Sequence, residues 1–246
     1  MTSATQLLKL MSWLSPVFPI GGFAYSAGLE QAVQSGHVED QTSLAGWIRV
    51  QITQGAQWND AVLLAEAHRC LADKPKLEEL TDLCLALCVG QQRLDETRGQ
   101  GTSFIQAVSH WVRPEHFPDR NTPLPVAIGI AAAVEGLDIR LTAGAYLHAF
   151  VSNQLQCAIR LSVTGQDGAA KRTRAEQELP AIETTVWATL RLVGQVGRWQ
   201  VNTIQRVAQP HHVGVEKEGT FGARERLVQQ VPLEPDRVLV VGLPGI

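Results

Sequence analysis

Residues 141–163 read LTAGAYLHAFVSNQLQCAIRLSV. Leu147, Val151, Leu155 and Ala158 recur at steps of three and four, the spacing of one side of an α-helix. Opposite that stripe, Asn153, Gln156 and Arg160 recur at the same steps, and Gln166 follows in the turn TGQDG. That polar face is either an ordinary wet surface or a recognition patch. The same period runs outward in both directions. From Lys76 to Arg98, Leu80, Cys84, Leu87, Gln91 and Leu94 predict one long helix, broken or kinked at the GQG of 99–101 and resumed in SFIQAVSHWV. The stretch LPVAIGIAAAVEG opens on a proline suited to a first helical turn, and its near-uniform apolarity predicts a helix buried on most sides. Toward the N-terminus, residues 5–14 and 23–35 predict two further helices. Asp40, Thr42 or Ser43 is placed to cap a helix reaching about Gln54, and Asn59 or Asp60 to cap NDAVLLAEAHRCLA. The proline-rich RPEHFPDRNTP of 113–123 reads as a surface loop, and residues 169–190 as a last helix.

No strand alternation interrupts this pattern before residue 200. The class is therefore all-α, a single-domain bundle of roughly eight to ten helices joined by short turns. Residues 1–190 form the helical domain. Residues 191–246 carry weak periodicity and poor caps, with QPHHVGVEKEG in their middle and RVLVVGLPGI at their end, and are expected to be an irregular tail.

The chain has 246 residues, a formal net charge of −3 and four cysteines. A chain of this length buries roughly three quarters of its unfolded surface, so it needs no disulfide or metal staple. No basic stripe suggests a nucleic-acid groove. The longest apolar run is about half of the ~20 residues a membrane helix needs. The start, MTSATQLLKLMSWL, lacks the features of a secretory signal. Without any CxxC pair, these features fit a reducing compartment, the cytoplasm.

The segment PVFPIGGFAYSAGLEQAVQSG, residues 16–36, asks for a function. Its glycine spacing lacks the lysine of a phosphate loop, and its prolines preclude the central strand that a dinucleotide fingerprint needs. Two readings stay open. Ala24, Gly28 and Ala32, at steps of four, would let another helix approach closely. Phe23, Ser26, Glu30 and Val33 would share a second face, with Glu30 either paired to an arginine such as Arg160 or exposed to solvent. Metal and catalytic candidates are sparse. Cys84 and Cys88 have the i, i+4 geometry of two ligands but fall on or beside the core stripe. His68 and Cys70 point to different helix sides, His148 reads as structural, and the adjacent His211 and His212 lie in the tail. Asp95 and Glu96, between Arg93 and Arg98, read as a solvated face with local ion pairs.

Three separated segments carry a resemblance. WLSPVFPIGGFAYSAGLEQAV, WNDAVLLAEAHR and LHAFVSNQLQCAIRLSVTGQDGAA together resemble the UreF family of urease accessory proteins. The family pattern Pro-x-Gly-x-Phe-x-Tyr-Ser-x-Gly-Leu-Glu falls on Pro19, Gly21, Phe23, Tyr25, Ser26, Gly28, Leu29 and Glu30. The Arg-Leu then Gly-Gln order falls on Arg160, Leu161, Gly165 and Gln166. The resemblance covers roughly residues 5–180. It implies an all-α homodimer without enzymatic activity or a tightly bound cofactor. Such a protein joins UreD (also called UreH) and the GTPase UreG to load nickel into apo-urease, the nickel being handled only within that complex. It implies partner contacts at Pro19–Glu30 and at Asn153, Gln156, Arg160 and Gln166. Beyond about residue 180 the chain departs from the family, which usually ends in a helix with a His-Glu pair. Two alternatives to this function are an all-helical interaction scaffold unrelated to urease and a copy inactivated by its divergent tail.

Overall fold

Helix α7, Leu124–Val134, is apolar on every side because every side is covered. Residues Leu124 to Ala132 are all buried, and α4 (Ala56–Arg69), α5 (Lys74–Ala86), α6 (Gln91–Val108) and α8 (Ile139–Arg160) pack around them. The computed structural model describes residues 4–119 and 121–165. Around that centre it adds α1 (Ala4–Trp13), α2 (Leu29–Gln34) and α3 (Gln41–Thr53), with short 3-10 turns at Gly22–Ala24 and Pro114–His116. Eight α-helices and no strand are found among the described residues, so the chain is all-α as its periodicity predicts. No described helix is long and apolar enough to cross a membrane. The expected helix at 169–190, the domain boundary at 190 and the irregular tail lie outside the described residues.

Aspartate caps fix three helix starts. Asp40 caps α3 in a reciprocal box: the Ser43 amide donates to Asp40 Oδ1 at 2.8 Å, and the Asp40 amide donates to Ser43 Oγ at 3.0 Å. Asp73 and Asp138 cap α5 and α8 in the simpler way, each carboxylate accepting an amide of its helix's first turn. Helix α1 is tied to the α7–α8 turn by the Lys9–Glu135 ion pair and by Gln6 Nε2, which donates to the Gly136 carbonyl at 2.8 Å.

Four expectations from the sequence are corrected. The predicted helix at 76–98 is two, α5 and α6, separated at Leu87–Gly90. The GQG at 99–101 neither breaks nor kinks into a loop; α6 runs through it. A Cβ on Gly101 would overlap the Thr122 carbonyl, so this glycine lets the lead-in to α7 touch α6. Asn59 and Asp60 do not cap α4, which starts from Gly55; Asp60 lies buried within the helix. The predicted helix at 23–35 is a 3-10 turn, an extended Tyr25, and then the short α2.

Candidate functional site

The stretch from Leu14 to Gly28 leaves helical geometry because its backbone cannot keep it. Gly21, Ala27 and Gly28 have φ of 71°, 48° and 86°. That left-handed region suits glycine, and the strained Ala27 is held there by its surroundings. Gly28 is thus the residue before α2 and not part of a helical stripe with Ala24 and Ala32. Its lack of a side chain serves the positive φ, with the Trp47 ring 3.6 Å from where a Cβ would stand. The second expected face, Phe23–Ser26–Glu30–Val33, fails for the same reason: no single helix carries all four.

The segment is braced by α8. Asn153 Nδ2 donates to the Tyr25 carbonyl at 3.1 Å, and Gln154 Nε2 donates to the Ser26 carbonyl at 2.9 Å. Gln154 is fully buried, and its Oε1 accepts from Trp47 Nε1 at 3.2 Å. One side chain therefore joins α3, α8 and the segment. The Arg160 guanidinium stands over the Phe23 ring, 5.7 Å from its centre. Arg160 does not pair with Glu30, which is exposed on α2. Pro19 and Gly21 are exposed, Phe23 is 48 % exposed, Tyr25 and Ser26 are half-buried, and Leu29 is core. Asn153, Gln156 and Arg160 thus do lie beside the N-terminal motif. Gln166 lies outside the described residues.

Beneath the segment sits a polar cluster that sequence reasoning misassigned. Arg93 and Glu96 are not on a solvated face; only Asp95 and Arg98 are. Arg93 pairs with the buried Asp60, and its Nη1 lies 3.3 Å from Glu96 Oε2. The Tyr146 hydroxyl donates to Asp60 Oδ2 at 2.7 Å. Gln100 Nε2 reaches Glu96 Oε1 at 3.5 Å. Burial pushes the Tyr146 and Glu96 pKa values up, more than Arg93 lowers them. Burial alone would lower Arg93, but Asp60 foremost, then Tyr146 and Glu96, more than offset it and raise its pKa further. The cluster lines a cavity of about 120 Å³ whose rim includes Ile20, Phe23 and Asn153. A signal for these residues was present. Asp60 is in register with Gln57, Leu64 and Ala67, and Gln154 with Leu147, Val151 and Ala158. A polar residue on an inner stripe announces a buried hydrogen bond.

The remaining candidates are placed elsewhere. Cys84 is buried, and Cys88 Sγ donates to the Cys84 carbonyl at 3.4 Å. Burial raises both thiol pKa values, which disfavours the thiolate that binds metal. No group of three His, Cys, Asp or Glu converges among the described residues. A ring nitrogen of His68 lies 2.9 Å from the Leu137 carbonyl, and His148 is exposed on α8. His211 and His212 lie outside the described residues.

Fold and site together define an all-α protein whose polar groups brace an irregular surface segment. Comparison with known proteins makes this specific. The chain matches the UreF family over residues 38–175, starting just after the N-terminal motif. It is 46 % identical over 169 residues to urease accessory protein UreF 1 of Brucella anthropi, covering 68 % of this chain and 73 % of that one. It is 45 % identical over 179 residues to urease accessory protein UreF of Agrobacterium fabrum, covering 72 % and 80 %. The UreF of Rhizobium etli is 44 % identical over 177 residues, covering 70 % and 78 %. The chain belongs to the UreF family.

Proposed function

We propose that this chain is a non-catalytic urease accessory protein that joins UreD (UreH) and the GTPase UreG, so that nickel enters apo-urease at the expense of GTP. It works through surfaces, as a homodimer in the cytoplasm, and hands nickel on within the assembly without holding it tightly. The observation that carries this reading is the braced motif. Pro19, Gly21, Phe23 and Glu30 are exposed, although Phe23 and its neighbours are residue types that favour burial. The backbone between them is held at the Tyr25 and Ser26 carbonyls by Asn153 and Gln154 instead of being left to fray. A surface held in one conformation loses little entropy on docking. Family membership removes the alternative of a scaffold unrelated to urease. The alternative of a copy inactivated by its tail rests on residues outside the described ones, and one experiment decides it. The chain is expressed in a strain with urease but no UreF of its own. Restored urease activity and nickel content are expected. A folded chain that leaves urease without nickel contradicts the proposal.

A further inference from the structure

The cavity under the N-terminal segment holds unspent hydrogen-bonding capacity. Gln57 is 5 % exposed and lines it, and its carboxamide has no hydrogen-bond partner among the described residues. Its carboxamide is left open to the cavity, where an occupant can engage it. Glu96 is 8 % exposed, and its two contacts, at 3.3 and 3.5 Å, are long for a carboxylate. Charge-assisted bonds normally close to about 2.7–2.9 Å. Asp60, by contrast, accepts at Oδ2 from both Arg93 and the Tyr146 hydroxyl, and it does not line the cavity. Two carboxylates therefore share one guanidinium, and the uncompensated negative charge falls on Glu96, at the cavity wall. The rest of the wall is apolar near the mouth, with Leu14, Ile20, Phe23 and Phe150. A volume of about 120 Å³ has room for several waters or for a cationic head on a short alkyl stem.

We propose that this cavity is a binding site for an organic monocation, a guanidinium or primary ammonium on an aliphatic stem, with its head between Glu96 and Gln57 and its stem along Phe23 and Ile20. A bare metal ion is a poorer match, because the wall offers one loosely held carboxylate and neutral carboxamides beside the Arg93 guanidinium, whose charge opposes a dication more than a monocation. The cation has two sources with the same chemistry: a free small amine, or an arginine or lysine side chain of a partner protein. Only the second source rests on the function proposed above.

The test is calorimetric titration of the full chain with n-butylguanidinium and with its uncharged isostere n-butylurea. Butylguanidinium is expected to bind with a Kd on the order of a millimolar, as suits a probe of so few atoms. Glu96→Gln, which keeps the shape and removes the charge, should weaken it about tenfold or more. Gln57→Glu, which adds a second carboxylate, should tighten it. Helical content and midpoint of unfolding confirm that both variants fold. Equal binding of butylurea, or butylguanidinium binding unchanged in both folded variants, overturns the proposal. In a second arm, UreD and UreG are added to the probe-loaded chain. Release of the probe on complex formation assigns the cation to a partner side chain. A complex that retains the probe assigns it to a free amine. Absence of any complex counts against the proposed function and leaves the first arm intact.

Discussion

Helix α7 and the segment from Leu14 to Gly28 have similar compositions and opposite fates. Both are rich in small and apolar residues and both contain proline. Yet α7 is buried along its length, while the segment leaves Val17 88 % and Phe23 48 % exposed. The difference lies in the backbone. Helix α7 satisfies its own amides and offers an apolar surface on every side, so four helices can close on it. In the segment, prolines and three positive φ values prevent a regular hydrogen-bond pattern. Isolated turn hydrogen bonds meet some of its carbonyls, and side chains of α8 meet those of Tyr25 and Ser26. One region is held by packing and the other by a few directed contacts, so mutations should separate them.

The largest effect belongs to the polar cluster beside the core. Asp60→Ala strands Arg93 in the interior and should cost at least about 3 kcal/mol, read by denaturant unfolding. Gly101→Ala forces a methyl group into the Thr122 carbonyl and should cost about 3 kcal/mol by the same measurement. In the segment the costs fall. Gly28→Ala adds strain at φ 86° beside Trp47 and should cost about 1–2 kcal/mol. Asn153→Ala removes one hydrogen bond and should cost about 1 kcal/mol or less, while hydrogen exchange quickens around Tyr25 and stays unchanged in α7. A loss in α7 protection equal to that near Tyr25 would erase the distinction between the two regions.

The smallest effect is one of pH. Burial raises the Glu96 pKa above its ordinary 4.5, so the folded state keeps this proton longer than the unfolded chain does. The stability linked to that proton is complete below 4.5 and is lost as pH rises through the folded-state value. Glu96→Gln cannot suffer that loss. Its unfolding midpoint should gain on the parent's as pH rises, and a constant difference across the range would argue against a desolvated carboxylate.

The sequence made the packed region legible and the braced region only partly so. The burial of α7 follows from its near-uniform apolarity and the inner stripe of α8 from periodicity, both local properties. Asp40 as a cap is legible too, because its partner is three residues away. The contacts of Gln154 with Ser26 and of Tyr146 with Asp60 span more than eighty residues in chain and leave no local trace. The sequence reads Gly28 as a small packing position within a helix and Gly101 as part of a helix break. One serves a positive φ, and the other a close approach by a distant strand of chain. Arg93 and Glu96 looked solvated because charge is a weak guide to exposure when an opposite charge, here Asp60, lies on another helix. The resemblance points to Pro19–Glu30 as partner contacts; in the structure Pro19, Gly21, Phe23 and Glu30 are exposed and Leu29 is buried, and the helix expected over 23–35 is replaced by a 3-10 turn and the short α2.

On the function proposed above, the braced segment serves assembly and not folding. This claim is tested most directly by the affinity of the purified chain for UreD and UreG, compared between the parent and Tyr25→Ala/Arg160→Ala. Interface hot spots of these residue types are worth about 2 kcal/mol or more each. The account predicts that the double variant unfolds at nearly the parent's denaturant midpoint and binds its partners at least about thirtyfold more weakly. Parental affinity in the folded double variant would contradict it.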